Sequence, residues 1–137
     1  MFKRIIWHCV FPLLAGFIIY LFFHQPNLQL HQWLAVHFSV PNFYSSIKNH
    51  PLLIFVLNHV PDALWDYSLA CFLMLWISNS LKKYVRAALI ISIVSLTEII
   101  QLFFPKQFTF DWTDLFIAVI ISLFTLTYSA YEKKNIV

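Results

Sequence analysis

The sequence predicts an all-α integral membrane protein, a four-helix bundle with a long, partly helical outer loop. Three observations lead there. Of 137 residues, 61% are hydrophobic and only 11% charged, against roughly a quarter charged in an ordinary soluble domain. A sphere of this size exposes more surface than nine basic and six acidic residues can cover, so lipid rather than water is the main solvent. Fifteen Phe with a single Gly exclude disordered, collagen-like and glycine-linker chains. The length suits one domain, residues 1–137.

Crossing a hydrocarbon core about 30 Å thick takes about 20 apolar residues at about 1.5 Å each. Four stretches qualify, at about 5–23, 62–79, 86–104 and 114–131. The first follows Lys3 and Arg4, as a secretory signal would, but it lacks a small-x-small cleavage site and reads as an uncleaved helix. Helix two opens at Pro61 and Asp62, a proline and an acid that suit a first helical turn. Helix four opens at Asp111 as N-cap, with Asp114 three residues inside. Trp65 and Trp112 beside these acids read as membrane-interface anchors.

The loop 24–61 is apolar for a loop. Leu30, Trp33, Leu34 and Phe38 recur at helical spacing and suit a short helix lying in the interface, with a turn at Pro41 and Asn42. Pro51 to Leu57 is too short to span and reads as a second interfacial or re-entrant piece. Cys9 and Cys71 fall at different depths, so a disulfide is not expected.

Basic residues mark the cytoplasmic side of a membrane protein. Lys3, Arg4, Lys82, Lys83, Arg86, Lys133 and Lys134 fall on one side of the four spans, Lys48 and Lys106 on the other. Both termini are therefore expected in the cytoplasm. The net charge of +3 is a topology signal, not a nucleic-acid footprint, because no basic stripe interleaves with exposed aromatics.

Glu98 is the most informative single residue, since an ionisable group inside a membrane helix is costly and persists with a partner or a wet cavity. Gln101 follows three residues on, on the same helix face, and Thr97 adds to the stripe. Asp66 lies one turn deeper than Asp62 and needs a partner for the same reason. Antiparallel packing of helices two, three and four would bring Asp66, Glu98 and Asp114 to one outer-leaflet site, where Lys106, a metal, a ligand ammonium or a proton on Glu98 compensates their charge. The ligand-binding candidates are Asp66, Glu98, Gln101 and Asp114. No metal is assigned: His59 and Asp62 have a workable spacing for two ligands, and nothing in the spacing demands a third. No catalytic motif or cofactor signature occurs.

The order Glu98-x-x-Gln101, Phe103-Phe104-Pro105-Lys106, Thr109-Phe110-Asp111-x-x-Asp114 resembles the VanZ-like family. So does the stretch Pro61-Asp62-Ala63-Leu64-Trp65-Asp66-Tyr67-Ser68, and the likeness covers the C-terminal half. Where that family usually carries an Asn four residues after the final Asp, this chain has Ala118. The resemblance implies a small multi-pass protein of the bacterial cytoplasmic membrane and no established reaction.

The leading functional expectation is a non-enzymatic envelope protein that binds a lipid-linked or amphiphilic ligand at the outer polar cluster. The alternatives are a small accessory subunit of a larger membrane complex and a carboxylate- and metal-dependent intramembrane enzyme on lipid headgroups.

Overall fold

The computed structural model describes residues 2–23, 41, 43–77, 80–103 and 110–135, without the side chains of 2, 4 and 128–135. Among them every regular element is a helix. Helix α1 is a continuous run of the α-helical Phe2–Ile5, a π-helical turn Ile6–Val10 and the α-helical Phe11–Phe23. It is followed by the single turn α2 (Tyr44–Ile47) and three long helices, α3 (Pro51–Trp76), α4 (Lys83–Gln101) and α5 (Trp112–Asn135). The expected interfacial helix at Leu30–Phe38 and the turn at Asn42 lie outside the described residues, as does Lys106.

Two helical stretches, Ile6–Phe23 and Lys83–Gln101, are long and apolar enough to cross a membrane. Only 17% of each is buried within the structure, whereas the core helix of a soluble protein would be mostly covered. Trp112–Thr127 is a shorter apolar stretch. Helix α3 is long enough but carries Asn58, His59, Asp62 and Asp66 in its middle.

Helix two does not begin at Asp62. It begins eleven residues earlier, with Pro51 in its first turn, and runs unbroken through Pro61. The apolar run from Pro51 to Leu57 is thus the first part of a spanning-length helix rather than a separate piece, and the loop expected to reach residue 61 stops short of it. Pro61 removes one backbone donor and frees the Leu57 carbonyl, a cost of about 3 kcal/mol in an isolated helix. Packing outweighs it: Pro61 is fully buried, against α1.

Helices α1 and α3 run antiparallel. His8 Nδ1 shares a 2.8 Å hydrogen bond with the Tyr67 hydroxyl, and the Ser68 hydroxyl donates to the Cys9 carbonyl at 2.6 Å. Farther along, the Trp65 indole N–H donates to the Leu13 carbonyl at 3.2 Å. The π turn has a local cause in Pro12, which is buried and lacks an amide N–H. A regular turn would drive its ring into the His8 carbonyl; instead the Phe11 amide reaches five residues back, to the Ile6 carbonyl. Ser68→Ala should therefore destabilise the α1–α3 pair by about 1 kcal/mol, read as a lower midpoint in thermal unfolding followed by circular dichroism. An unchanged midpoint would mean that the Cys9 carbonyl has another donor.

Gly16 lets the two helices meet. A Cβ there would stand 2.7 Å from Trp65 Nε1 and 3.1 Å from the Pro61 carbonyl oxygen. Trp65 packs between α1 and α3 with its ring 5.8 Å from that of Tyr20. Trp112 does project outward. Cys9 and Cys71 are not joined by a disulfide.

Helix α5 packs on both α3 and α4, while α3 and α4 touch each other less. Near the basic residues that open α4, the Arg86 guanidinium donates to the Met74 carbonyl. This tie satisfies an acceptor in the last turn of α3, where intrahelical donors run out. The core between α3, α4 and α5 is small: Ala70, Ile90, Val94 and Ala118, all fully buried, with Leu69, Leu73, Met74, Ile77 and Leu126 around them.

Candidate functional site: a buried carboxylate cluster

Three core residues lie one helical turn from three acids. Ala70 follows Asp66 by four residues, Val94 precedes Glu98 by four, and Ala118 follows Asp114 by four. Residues four apart share a helix face. Because Ala70, Val94 and Ala118 meet in one core, Asp66, Glu98 and Asp114 are aimed at the same axis, about 6 Å farther along it. Asp66 is within coulombic reach of Glu98, Asp62 and Asp114, and Asp62 of Asp114, Glu98 and His59. The cluster thus holds four carboxylates, one more than expected.

Each carboxylate has a different surrounding. Glu98 is 6% exposed, and its Oε2 accepts a 2.7 Å hydrogen bond from the Gln101 amide. That is the pairing the three-residue spacing implied. Thr97 stands apart from it: its hydroxyl donates to the Val94 carbonyl of its own helix at 2.6 Å, and it lies on the exposed side. Asp114 accepts from His59 Nδ1 at 2.6 Å, which ties α5 to α3. Asp66 is 5% exposed, and its Oδ2 is buried with no hydrogen-bond partner. Asp111 stays outside the cluster as the N-cap of α5, where its carboxylate accepts from the Thr113 amide at 2.8 Å. That hydrogen bond holds its carboxyl below the usual range.

In the sequence, His59 stands out only by its ligand-like spacing to Asp62. Its partner is on another helix 55 residues away, and no local spacing could reveal it. Among the described residues no three His, Cys, Asp or Glu side chains stand together as a metal site.

The His59–Asp114 bond also sets the level of the helices. Asp114 lies in the first turn of α5, and Glu98 within a turn of the end of α4. Asp62 and Asp66 lie in the middle of α3, about 17 and 22 Å from Pro51 by helix rise, not one turn inside its end. The stretch of α3 from Pro51 to Asn58 therefore projects beyond the start of α5 as a step. Its wall is apolar. The Phe55 ring meets His59 edge-on at 4.4 Å, so it lies on the same face of α3 one turn farther out. Leu52 continues that stripe and is largely exposed.

One continuous stripe of α3 thus reads Leu52, Phe55, His59, Asp62, Asp66, apolar at its outer end and acidic at its inner end. Inward of the acids on their own helices, the fully buried Ala70, Ile90, Val94 and Ala118 form the small core, and Ser122 and Thr125 of α5 are buried as well. The arrangement can accept hydrogen bonds and positive charge at its floor and apolar surface along its wall. No family model, curated protein or solved structure matches the chain.

Proposed function

We propose that the chain is a VanZ-like multi-pass protein of the bacterial cytoplasmic membrane that binds a lipid-linked or amphiphilic ligand, without catalysing a reaction on it. The observation that supports this most directly is the stripe on α3, in which Asp62 and Asp66, with Glu98 of α4 and Asp114 of α5 near them, form an acidic floor that adjoins the exposed apolar wall of Phe55 and Leu52. A headgroup with donors fits the floor, and an acyl or prenyl chain fits the wall and the lipid beside it.

In this reading α1, α3, α4 and α5 are the four spans, and Gln101 holds Glu98 in place. The seven-to-two distribution of basic residues puts both termini in the cytoplasm and the step on the outer side. A fluorescent protein fused after Val137 should fluoresce, and alkaline phosphatase fused there should be inactive. Phosphatase activity at that position would overturn the topology.

The binding reading is tested by Glu98→Gln, which keeps hydrogen-bonding capacity and removes the charge. Wild-type protein purified in mild detergent should carry a co-purifying amphiphile that solvent extraction and mass spectrometry detect. The variant should fold normally and retain about tenfold less of it, the size of one lost charge-assisted hydrogen bond. Equal retention would reject the site. A stoichiometric partner protein with no bound amphiphile would point to the accessory-subunit alternative instead.

A further inference from the structure

We propose that Asp66, flanked by Asp62 and Glu98, receives a primary ammonium group, supplied in the membrane by the headgroup of an amphiphile whose chain lies along Phe55 and Leu52. This assignment rests on the amphiphile-binding reading above and names the ligand's chemistry.

Two hydrogen bonds within the cluster leave one buried acceptor open. The Gln101 amide donates to Glu98 and the His59 ring to Asp114. Asp66 Oδ2 remains a buried acceptor without a donor, within coulombic reach of three further carboxylates. Burying an acceptor unpaired is costly, and burying several like charges together more so. A group that donates hydrogen bonds and carries positive charge relieves both at once.

Two kinds of cation meet the charge requirement and differ in geometry. A divalent metal needs several ligands converging on one point within about 2.6 Å. No three acids or histidines among the described residues stand so. An alkylammonium needs no such convergence: one N–H donated to Asp66 Oδ2 fills the open acceptor, and its charge acts on Asp62 and Glu98 without direct coordination. A quaternary ammonium carries the charge but has no N–H for Asp66 Oδ2, so the site should discriminate against it. The fully buried Ala70 and Val94, one turn beyond Asp66 and Glu98, stop the headgroup at that level. The rest of the ligand must then extend back along the apolar wall.

The test uses the full-length protein in maltoside micelles, supplied with phosphatidylethanolamine, phosphatidylcholine or spermidine and read by native mass spectrometry. The two lipids differ at the nitrogen, where three N–H groups are replaced by three methyls. Phosphatidylethanolamine should be retained about tenfold more strongly than phosphatidylcholine, as expected for one hydrogen bond to a charged group. Asp66→Asn should abolish that preference, and Asp62→Asn should weaken it. Helix content and monodispersity are checked for both variants, and Asp62→Asn carries the test if Asp66→Asn does not fold. Displacement of phosphatidylethanolamine by spermidine would support the shared ammonium chemistry. Spermidine bound with no lipid retained would overturn the amphiphile as its source. Equal retention of the two lipids, falling together in Asp66→Asn, would reject the ammonium while leaving an amphiphile site. Retention of both lipids unaffected by either substitution would reject the site itself.

Discussion

Asp66→Asn is expected to stabilise the ligand-free protein by about 1–3 kcal/mol, the cost of a buried polar atom left without a partner. Such a gain is unusual, since most substitutions at buried positions destabilise. The reason lies in the surroundings of this side chain. Asp66 brings a second oxygen that nothing donates to, and its ionised form places a negative charge beside Asp62, Glu98 and Asp114. Asn removes that charge, has nearly the same volume, and supplies an amide that can donate to a neighbouring carboxylate. Thermal unfolding of the two proteins in the same detergent, after delipidation, measures the difference. A higher midpoint for Asp66→Asn, together with loss of lipid selectivity, would mark Asp66 as held for binding at the expense of stability. A midpoint lowered by a similar amount would show that its carboxylate is already bonded in the folded protein, and the site would lose its open acceptor.

Gly16→Ala should act in the opposite direction and loosen α1 from α3, lowering stability by about 1–3 kcal/mol. The added Cβ would approach the Trp65 indole and the Pro61 carbonyl closer than carbon normally packs. Neither neighbour yields freely. Trp65 is tied to the Leu13 carbonyl and packs on Tyr20, and the Pro61 carbonyl belongs to helix backbone. Moving Trp65 out of the way breaks a hydrogen bond, and moving α1 away strains the Ser68–Cys9 and His8–Tyr67 contacts. Limited proteolysis or cysteine cross-linking between α1 and α3 reports the loosening directly. Trp65→Phe combined with Gly16→Ala should recover part of the loss by vacating the space that Cβ needs. Wild-type stability in the single variant would show that the helices pack through other residues.

Both predictions depend on contacts between residues far apart in the chain, and they separate what local sequence conveys from what it does not. The all-helical class follows from runs of apolar residues whose length alone reports helix rise. The Glu98–Gln101 bond follows from a spacing of three on one helix. The Asp111 cap follows from an acid ahead of an apolar run. In each case both partners lie within one turn of each other, so the periodicity of the helix determines the outcome.

The start of α3 is different, because Pro followed by Asp is the same local signal whether a helix begins there or continues through it. Pro51 and Pro61 compete as first-turn prolines, and Gly16 on another helix decides between them by letting α1 pack against the Pro61 carbonyl. The contact of Trp65 with Gly16 and the Leu13 carbonyl likewise joins two helices far apart in the chain. His59 joins the carboxylates only through Asp114. The acidic types and their order along the chain are therefore properties of the sequence by itself. Their meeting on one axis at the middle of α3, with one oxygen of Asp66 left open, was decided by tertiary packing. A helix face is set locally, but which helices share that face, and at what level, depends on the shapes of partners that no local spacing records.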